Sequence, residues 1–276
     1  MIDLHAARTF TIDLARQAGA ALIQLYNQPH QLTHKGSRYD FLTEGDRAAE
    51  SIIVSGLRTA YADHRIVSEE GAGADADRDN AAYRWYIDPI DGTINFAHDL
   101  PHFAISIALT DAHDTPLMGV VYAPMYDEMY SAVRGAGADV NGTPLHVSDT
   151  LDLEDAVFAS GFAYSRHTDF DTNVGNWGRM VMICRAMRQL GAASLDICFV
   201  ASGRIDGYWE TALKPWDYMA GALILEEAGG SISDFDGLPD GMVRGEILAS
   251  NGRLHQKMCE RIGERKFAVP PLLGGV

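Results

Sequence analysis

The segment Trp85-Tyr86-Ile87-Asp88-Pro89-Ile90-Asp91-Gly92-Thr93-Ile94-Asn95-Phe96 constrains this chain more than any other. A run of β-formers stops at an acid, a proline and a second acid, and a glycine then opens a short helix-like stretch. Ile66-Val67 leading into Ser68-Glu69-Glu70 repeats the pattern. Both read as short buried strands that carry carboxylates at their C-terminal ends, the edge at which open α/β sheets bind ligands. Pro89 stiffens the chain so that Asp88 and Asp91 project from one turn. A further acid, Asp217, follows Pro215-Trp216 at the start of an Ala/Leu/Ile-rich helix that runs to about Ala228 and stops at Gly229-Gly230. Its carboxylate therefore sits at a helix N-terminus.

If Glu69, Asp88, Asp91 and Asp217 converge, two charges about 4 Å apart repel by roughly 4 kcal/mol at an effective dielectric near 20. Such a cluster binds protons or metal. The donors are hard oxygens, with no His-x-x-x-His, Glu-x-x-His or Cys pair beside them, a set that favours Mg2+ or Mn2+ over zinc. Gly92 and Thr93 open a short helix whose free N–H groups can hold an anion, and Thr93 adds a hydroxyl. Cations beside an anion-binding turn point to hydrolysis of a phosphate monoester by activated water. Each acid also has a plainer use. Asp-Pro and Asp-Gly are ordinary turn pairs, Glu69-Glu70 fits a solvated loop, and Asp217 complements a helix dipole. Asp46 has capping-box spacing from Thr43, and Glu210, which ends the apolar run from Ile205 to Trp209, fits a rim salt bridge.

These segments resemble the signatures of the inositol monophosphatase family, within the magnesium-dependent, lithium-sensitive phosphatase superfamily. Trp85 to Phe96 with Pro101, Glu69 in its Glu-Glu pair, and Trp216-Asp217-x-x-Ala220-Gly221 continuing to Glu227-Ala228-Gly229-Gly230 carry the likeness. Gly119-Val120-Val121-Tyr122, Gly135-x-Gly137-Ala138, Asn141-Gly142 and Gly191-Ala192-Ala193 stand between them in the family's order, so the likeness spans roughly Ala15 to Gly230.

The resemblance implies a layered αβαβα sandwich. It implies that Glu69, Asp88 and the Ile90 carbonyl hold one magnesium and that Asp88, Asp91 and Asp217 hold a second, with a third, weaker ion sharing Glu69. Thr93 and Asp46 orient and deprotonate the attacking water, and no phosphoenzyme forms. Gly92 and Thr93 are assigned to the phosphate, and Asp91, Ala193 and Glu210 to hydroxyls of a sugar or cyclitol. Lys35 to Thr43 match a mobile loop. Lithium inhibition and a homodimer are further family expectations.

Inositol monophosphate leads as substrate because Thr93-Ile94-Asn95-Phe96 resembles the inositol branch. Fructose 1,6-bisphosphate, histidinol phosphate and 3'-phosphonucleotides are alternatives within the fold. A non-catalytic metal-binding or regulatory protein is an alternative of another class, opposed by the intact Thr93 and Asp46. A phosphatase with an aspartyl nucleophile needs Asp-x-Asp, whereas Pro89 and Ile90 separate these two acids.

At 276 residues and 47% hydrophobic, the chain can bury a large core. A net charge of -16 leaves no basic face for a nucleic-acid backbone. Cys184, Cys198 and Cys259 are odd in number, widely spaced and set in apolar stretches, so they read as reduced core thiols. The N-terminus shows no basic-then-apolar leader, and no run nears the ~18 apolar residues of a membrane span. A cytoplasmic protein with no membrane partner is expected.

The element pattern is mixed α/β, of the α+β kind with mixed sheets. Residues 1–148 read as a half with helices, metal-binding loops and a mainly antiparallel sheet, and 149–276 as an α/β half, the two forming one catalytic unit. In the first half, Leu4 to Gln28 has helical spacing, Gln31 to Leu42 and Gly71 to Ala82 read as loops, and Phe103 to Thr110, Met118 to Tyr122, Met129 to Val133 and Leu145 to Val147 read as strands. In the second, helices are expected at Val174 to Met187, Ala192 to Ala201, Tyr218 to Ala228 and Leu254 to Glu264. Strands are expected at Ala156 to Ser160, Gly207 to Glu210, Ser231 to Ser233 and Ile247 to Ala249, before a disordered tail from Val269 to Val276. His98 and His102 receive no role.

Overall fold

Alternation of apolar side chains along the strands puts a separate core on each face of two stacked sheets. The structure is a computed structural model describing residues 2–37, 39–72, 80–167 and 173–263. Helix α1 (Leu4–Leu25), the antiparallel pair β1 (Thr33–Ser37) and β2 (Asp40–Leu42), and helix α2 (Glu44–Ala60) come first. A seven-stranded sheet follows, formed in spatial order by β3 (Arg65–Ser68), β4 (Tyr83–Asp91), β5 (Ala104–Asp111), β6 (Pro116–Ala123), β7 (Glu128–Val133), β8 (Ala138–Val140) and β9 (Thr143–Pro144). The short helix α3 (Thr93–Ala97) links β4 to β5. Only the β3–β4 pair is parallel.

The second sheet has five strands. They are β10 (Val157–Ser160), β11 (Ala186–Arg188), β12 (Gly207–Glu210), β13 (Ser231–Ser233) and β14 (Ile247–Ser250), in the order β11-β10-β12-β14-β13. Four helices alternate with them: α4 (Val174–Val181), α5 (Ala193–Ala201), α6 (Pro215–Glu227) and α7 (His255–Ile262).

Three cores then define five layers. Trp85, Ile87, Ile105 and Val120 face α1 and α2, meeting Leu14, Leu22, Ile53 and Leu57. Their strand neighbours Tyr86, Ala104, Ala108 and Val121 face the other way, against Leu195 and Ile197 of α5 and Leu223 and Ile224 of α6; Tyr208, Ile247 and Ala249 of the second sheet close that core. Phe158, Trp209 and Leu248, on the far side, pack with Met180 of α4 and Met258 of α7. The result is a layered αβαβα sandwich.

Helix α6 is sandwiched between sheets and buried almost all round from Tyr218 to Leu225, as a middle-layer helix must be. Pro215 lies in its first turn, and the Asp217 carboxylate accepts from the Lys214 N–H at 2.6 Å. On β6, Gly119 allows the close approach. A Cβ there would lie 2.7 Å from the Ala220 carbonyl oxygen.

Several expectations need correction. The polar segment from Gln31 to Leu42 contains the β1–β2 pair, because its backbone groups find partners in each other despite a polar sequence. The first helix ends at Leu25, and Asn27 adopts a positive φ. The helix read as continuous from Val174 to Met187 stops at Val181, and Ala186–Arg188 become β11, pairing with β10; tertiary pairing overrides a weak helical pattern there. Leu145 to Val147 form no ladder, while 138–140 and 143–144 do. Strand β4 runs through to Asp91, with a register break after Asp88 where Pro89 lacks an N–H, so the expected turn is a bulge within a strand. Cys198 is buried, but Cys184 and Cys259 are only partly so. Residues 73–79 of the second expected loop and the tail lie outside the described residues.

Gly119→Ala is expected to lower stability by about 1 to 3 kcal/mol, because backbone rather than a movable side chain meets the new methyl. Urea unfolding measures this, and a change below about 0.5 kcal/mol, the range of an ordinary surface substitution, would mean that α6 is free to shift.

Candidate active site

Parallel pairing of β3 with β4 sets the ends of the two strands side by side. The Glu69 N–H donates to the Ile87 carbonyl at 3.0 Å, so Glu69, just past the end of β3, lies beside Asp88 at the register break in β4. The first turn of α6 brings Asp217 to the same place, and one oxygen from each of Glu69, Asp88 and Asp217 lies within 4.8 Å of the others. Asp88 is also fixed locally, accepting from the Ile90 N–H at 3.0 Å. Asp91 stands beside this trio but not in it. Its carboxylate accepts from the backbone N–H groups of Ala193 (3.0 Å) and Ser194 (2.6 Å) and from the Ser194 hydroxyl (2.5 Å) at the start of α5.

Gly92, in the left-handed region, ends β4 and starts α3. The Thr93 hydroxyl donates between the Ile90 carbonyl (3.0 Å) and Asp46 Oδ1 (3.2 Å). Asp46 is also the capping residue that the sequence suggests, accepting from the Thr43 N–H and hydroxyl at 2.6 and 2.7 Å. Its two oxygens serve the two purposes separately. Asp46 is 1% exposed, behind Thr93.

A cleft of about 660 Å³ opens over these groups, bordered by Glu69, Asp88, Ile90, Asp91, Gly92, Thr93 and Asp217 on one side and by Ala193 and Glu210 on the other. Glu210 ends β12 and accepts a short hydrogen bond from the Tyr208 hydroxyl. Lys35 of β1 reaches in from above, pairing with Glu69 at 2.9 Å and with Glu70. Sequence reasoning missed Gly161, Tyr164, Arg166 and Lys214, which also line the cleft. Gly161 to Arg166 follow β10 as irregular chain and a 3-10 turn with no periodic signal. His102, left without a role, pairs through Nε2 with the buried Asp196 of α5 at 2.8 Å.

Electrostatics of the bare cluster are unfavourable. Three carboxylate oxygens inside 4.8 Å repel by roughly 3 to 4 kcal/mol per pair. Burial, then Glu69, Asp91 and Asp217, push Asp88 well above the usual carboxylate range. Burial and then Glu69 do the same to Asp217, against the Lys214 N–H. Asp91 rises to about 6 through burial, held back by Ser194 and Ala193. Asp46 also rises to about 6 through burial, against its hydrogen bonds from Thr43. Glu210 goes to about 8 for the same first cause, opposed by Tyr208. Hard oxygen donors that cannot all stay ionised together suit a small divalent cation.

This five-layer αβαβα architecture, with its acid cluster at strand and helix ends, is the fold of a phosphatase family. The sequence model of the inositol monophosphatase family matches residues 3–266, and the chain belongs to that family. It is 40% identical over 258 residues to the Nus factor SuhB of Salmonella typhimurium, covering 92% of this chain and 95% of that one. Identity to the inositol-1-monophosphatase of Synechocystis sp. is 38% over 260 residues, with 94% and 90% covered. The solved structure of inositol monophosphatase from Anabaena (Nostoc) sp. superposes with a TM-score of 0.86 at 35% identity, covering 98% of this chain and 99% of that one.

Raised carboxyl pKa values mean that the cation-free folded state holds protons the unfolded state has released. Asp91 and Asp46 therefore add stability below their ordinary 3.8, and that stability is lost as pH rises through about 6. A divalent cation bound among these acids would replace protons above that window. The rise in melting temperature on adding magnesium is expected to be larger near pH 8 than near pH 5. Equal shifts at both would dissociate the acid cluster from cation binding.

Proposed function

We propose that this chain is a magnesium-dependent phosphomonoesterase acting on a small polyol or sugar phosphate, with inositol monophosphate the foremost substrate. The convergence of Glu69, Asp88 and Asp217 beside the Thr93–Asp46 pair carries this reading. Glu69, Asp88, Asp91, Asp217 and the Ile90 carbonyl would hold magnesium, with manganese an acceptable substitute. Magnesium, when bound, supplies Lewis-acid polarisation of the phosphoryl oxygens and a lowered pKa for water.

The chain's own groups do the rest. The Thr93 hydroxyl orients the attacking water and relays its proton to Asp46, which is buried yet within 3.2 Å of that hydroxyl. A base with a pKa near 6 accepts such a proton near neutral pH and releases it again. Gly92 and Thr93 receive the phosphoryl end. Ala193 and the Glu210 carboxyl, across the cleft, receive hydroxyls of the alcohol. Asp91 couples the two ends, since the start of α5 that it holds also presents Ala193. Water attacks phosphorus directly, the ester P–O bond breaks, and the leaving alkoxide takes up a proton to depart as the alcohol; no phosphoenzyme forms.

A second reading rests on the relatives at 39 to 40% identity that are named Nus factor SuhB. A net charge of -16 disfavours direct contact with a nucleic-acid backbone, so a Nus-factor role here would run through a protein partner. We place the protein in the cytoplasm as a homodimer. No helix among the described residues is long and apolar enough to cross a membrane.

Phosphate release from inositol 1-phosphate, fructose 1,6-bisphosphate, histidinol phosphate and a 3'-phosphonucleotide, each with magnesium, tests the main reading. Turnover is expected to be fastest on inositol 1-phosphate, and absence of release from all four would overturn the hydrolase assignment. Asp88→Asn, which removes a charge from the centre of the acid trio, should lower kcat about a thousand-fold; near-normal turnover would remove Asp88 from the metal site. Glu210→Gln should change the preference among substrates more than it changes kcat. Equal slowing of every substrate would argue against its role in recognition.

A further inference from the structure

Gly161 follows the last residue of β10, and β10 runs parallel to β12 with Ser160 opposite Trp209. The next residue along each strand is then Gly161 and Glu210, and the Glu210 carboxyl occupies the space beside the Gly161 Cα. A Cβ at position 161 would lie 2.5 Å from Glu210 Oε1 and closer still to Oε2, where carbon and oxygen cannot coexist without movement. Gly161 does not have a left-handed φ, so room, not backbone freedom, is what glycine supplies here.

The backbone at this point has little latitude to back away. Asn173, 2% exposed, donates to the Gly161 carbonyl at 2.7 Å and to the Ser160 hydroxyl at 2.9 Å. Its own carbonyl oxygen accepts from the Trp209 indole at 2.9 Å, and the Ser160 hydroxyl donates to the Trp209 carbonyl at 2.7 Å. Asn173 therefore clamps the ends of both strands together. The Glu210 carboxyl, by contrast, is the far end of a flexible side chain, held by the hydroxyl of the fully buried Tyr208. A methyl at 161 would displace the carboxyl before it displaced the chain.

We propose that Gly161 is a specificity-determining residue, whose missing side chain seats the Glu210 carboxyl against Tyr208 so that it meets the hydroxyls of a polyol phosphate in the cleft. This rests on the phosphomonoesterase reading above. The class of ligand follows from the chemistry of the seat. A carboxyl fixed on one side by a buried phenol presents acceptors to a partner rich in hydroxyl donors, and an ester without hydroxyls gains nothing from it.

Steady-state kinetics of the wild type, Gly161→Ala, Glu210→Ala and the double variant, with inositol 1-phosphate and with p-nitrophenyl phosphate in the presence of magnesium, tests this. In Gly161→Ala the ratio of kcat/KM for inositol 1-phosphate to that for p-nitrophenyl phosphate is expected to fall on the order of ten-fold, mainly through KM. The double variant should show the same ratio as Glu210→Ala, because a methyl at 161 has no carboxyl left to displace. An unchanged ratio in Gly161→Ala, or a second loss added to that of Glu210→Ala, overturns the proposal while leaving the hydrolase reading intact. A wild type inert toward both esters overturns both. Should Gly161→Ala fail to fold, the double variant, which has room for the methyl, must fold and match Glu210→Ala; its unfolding would show that the glycine serves the backbone and not Glu210.

Discussion

Mutual repulsion among carboxylates at the ends of β3, β4 and α6 is the constraint around which this molecule is arranged. Glu69, Asp88 and Asp217 come from three separate stretches, and one oxygen of each lies within 4.8 Å of the others. Bringing them together costs several kcal/mol when no cation is bound. The surrounding layers supply that energy. Parallel pairing of β3 with β4 is held by a core that includes Trp85 and Ile87 on one face and Tyr86 on the other. Burial of α6 between two sheets fixes the helix start from which Asp217 reaches the other acids. Stability is drawn from the bulk of the fold and concentrated as electrostatic strain at one edge, where a bound divalent ion would relieve it.

How much of this could be read from residues alone depends on whether the signal is local. The Pro-Trp-Asp start of α6 is local and forms where its spacing predicts, whereas the strand–acid–glycine sequence from Ile87 to Thr93 continues as strand to Asp91 through a bulge in place of the expected turn. The apolar runs of β5 and β6 are local signals of strands too, but with both faces buried they do not tell which core each residue meets. Asp46 shows the limit of such reading. Its capping-box spacing is visible, but its contact with Thr93 spans 47 positions and depends on α2 packing against β4. The end of α4 at Val181 and the appearance of β11 were not legible, because the partner that makes Ala186–Arg188 a strand is β10, nearly thirty residues earlier. Gly161 carries no pattern of its own; its meaning appears only when Glu210 is seen beside it.

The net charge of the chain says less about its ligand than the placement of a few cations does. A surplus of acids repels a phosphate ester at long range, yet the cleft is lined by Lys35, Arg166 and Lys214 as well as by carboxylates. Local sign, and not total charge, governs what enters. Arg166 also lies over the Tyr39 ring at 5.8 Å, which ties the segment after β10 to the β1–β2 pair.

Lys35 shows how the acid cluster and the β1–β2 pair depend on each other. Burial works against its charge, but Glu69 and Glu70 outweigh that and hold its pKa above the ordinary value. Glu70, pushed up to about 7 by burial and eased by Lys35, has no other reason to ionise where it stands. The ammonium therefore neutralises part of the cluster and, through the same contacts, fixes β1 over the cleft. A divalent ion bound at Glu69 would set a second positive charge beside the Lys35 ammonium, and repulsion between the two would oppose that pairing. Were a divalent ion to fill the site, the β1–β2 pair would lose part of its hold on the cleft, because Lys35 pairs with Glu69, one of the acids that would hold the metal.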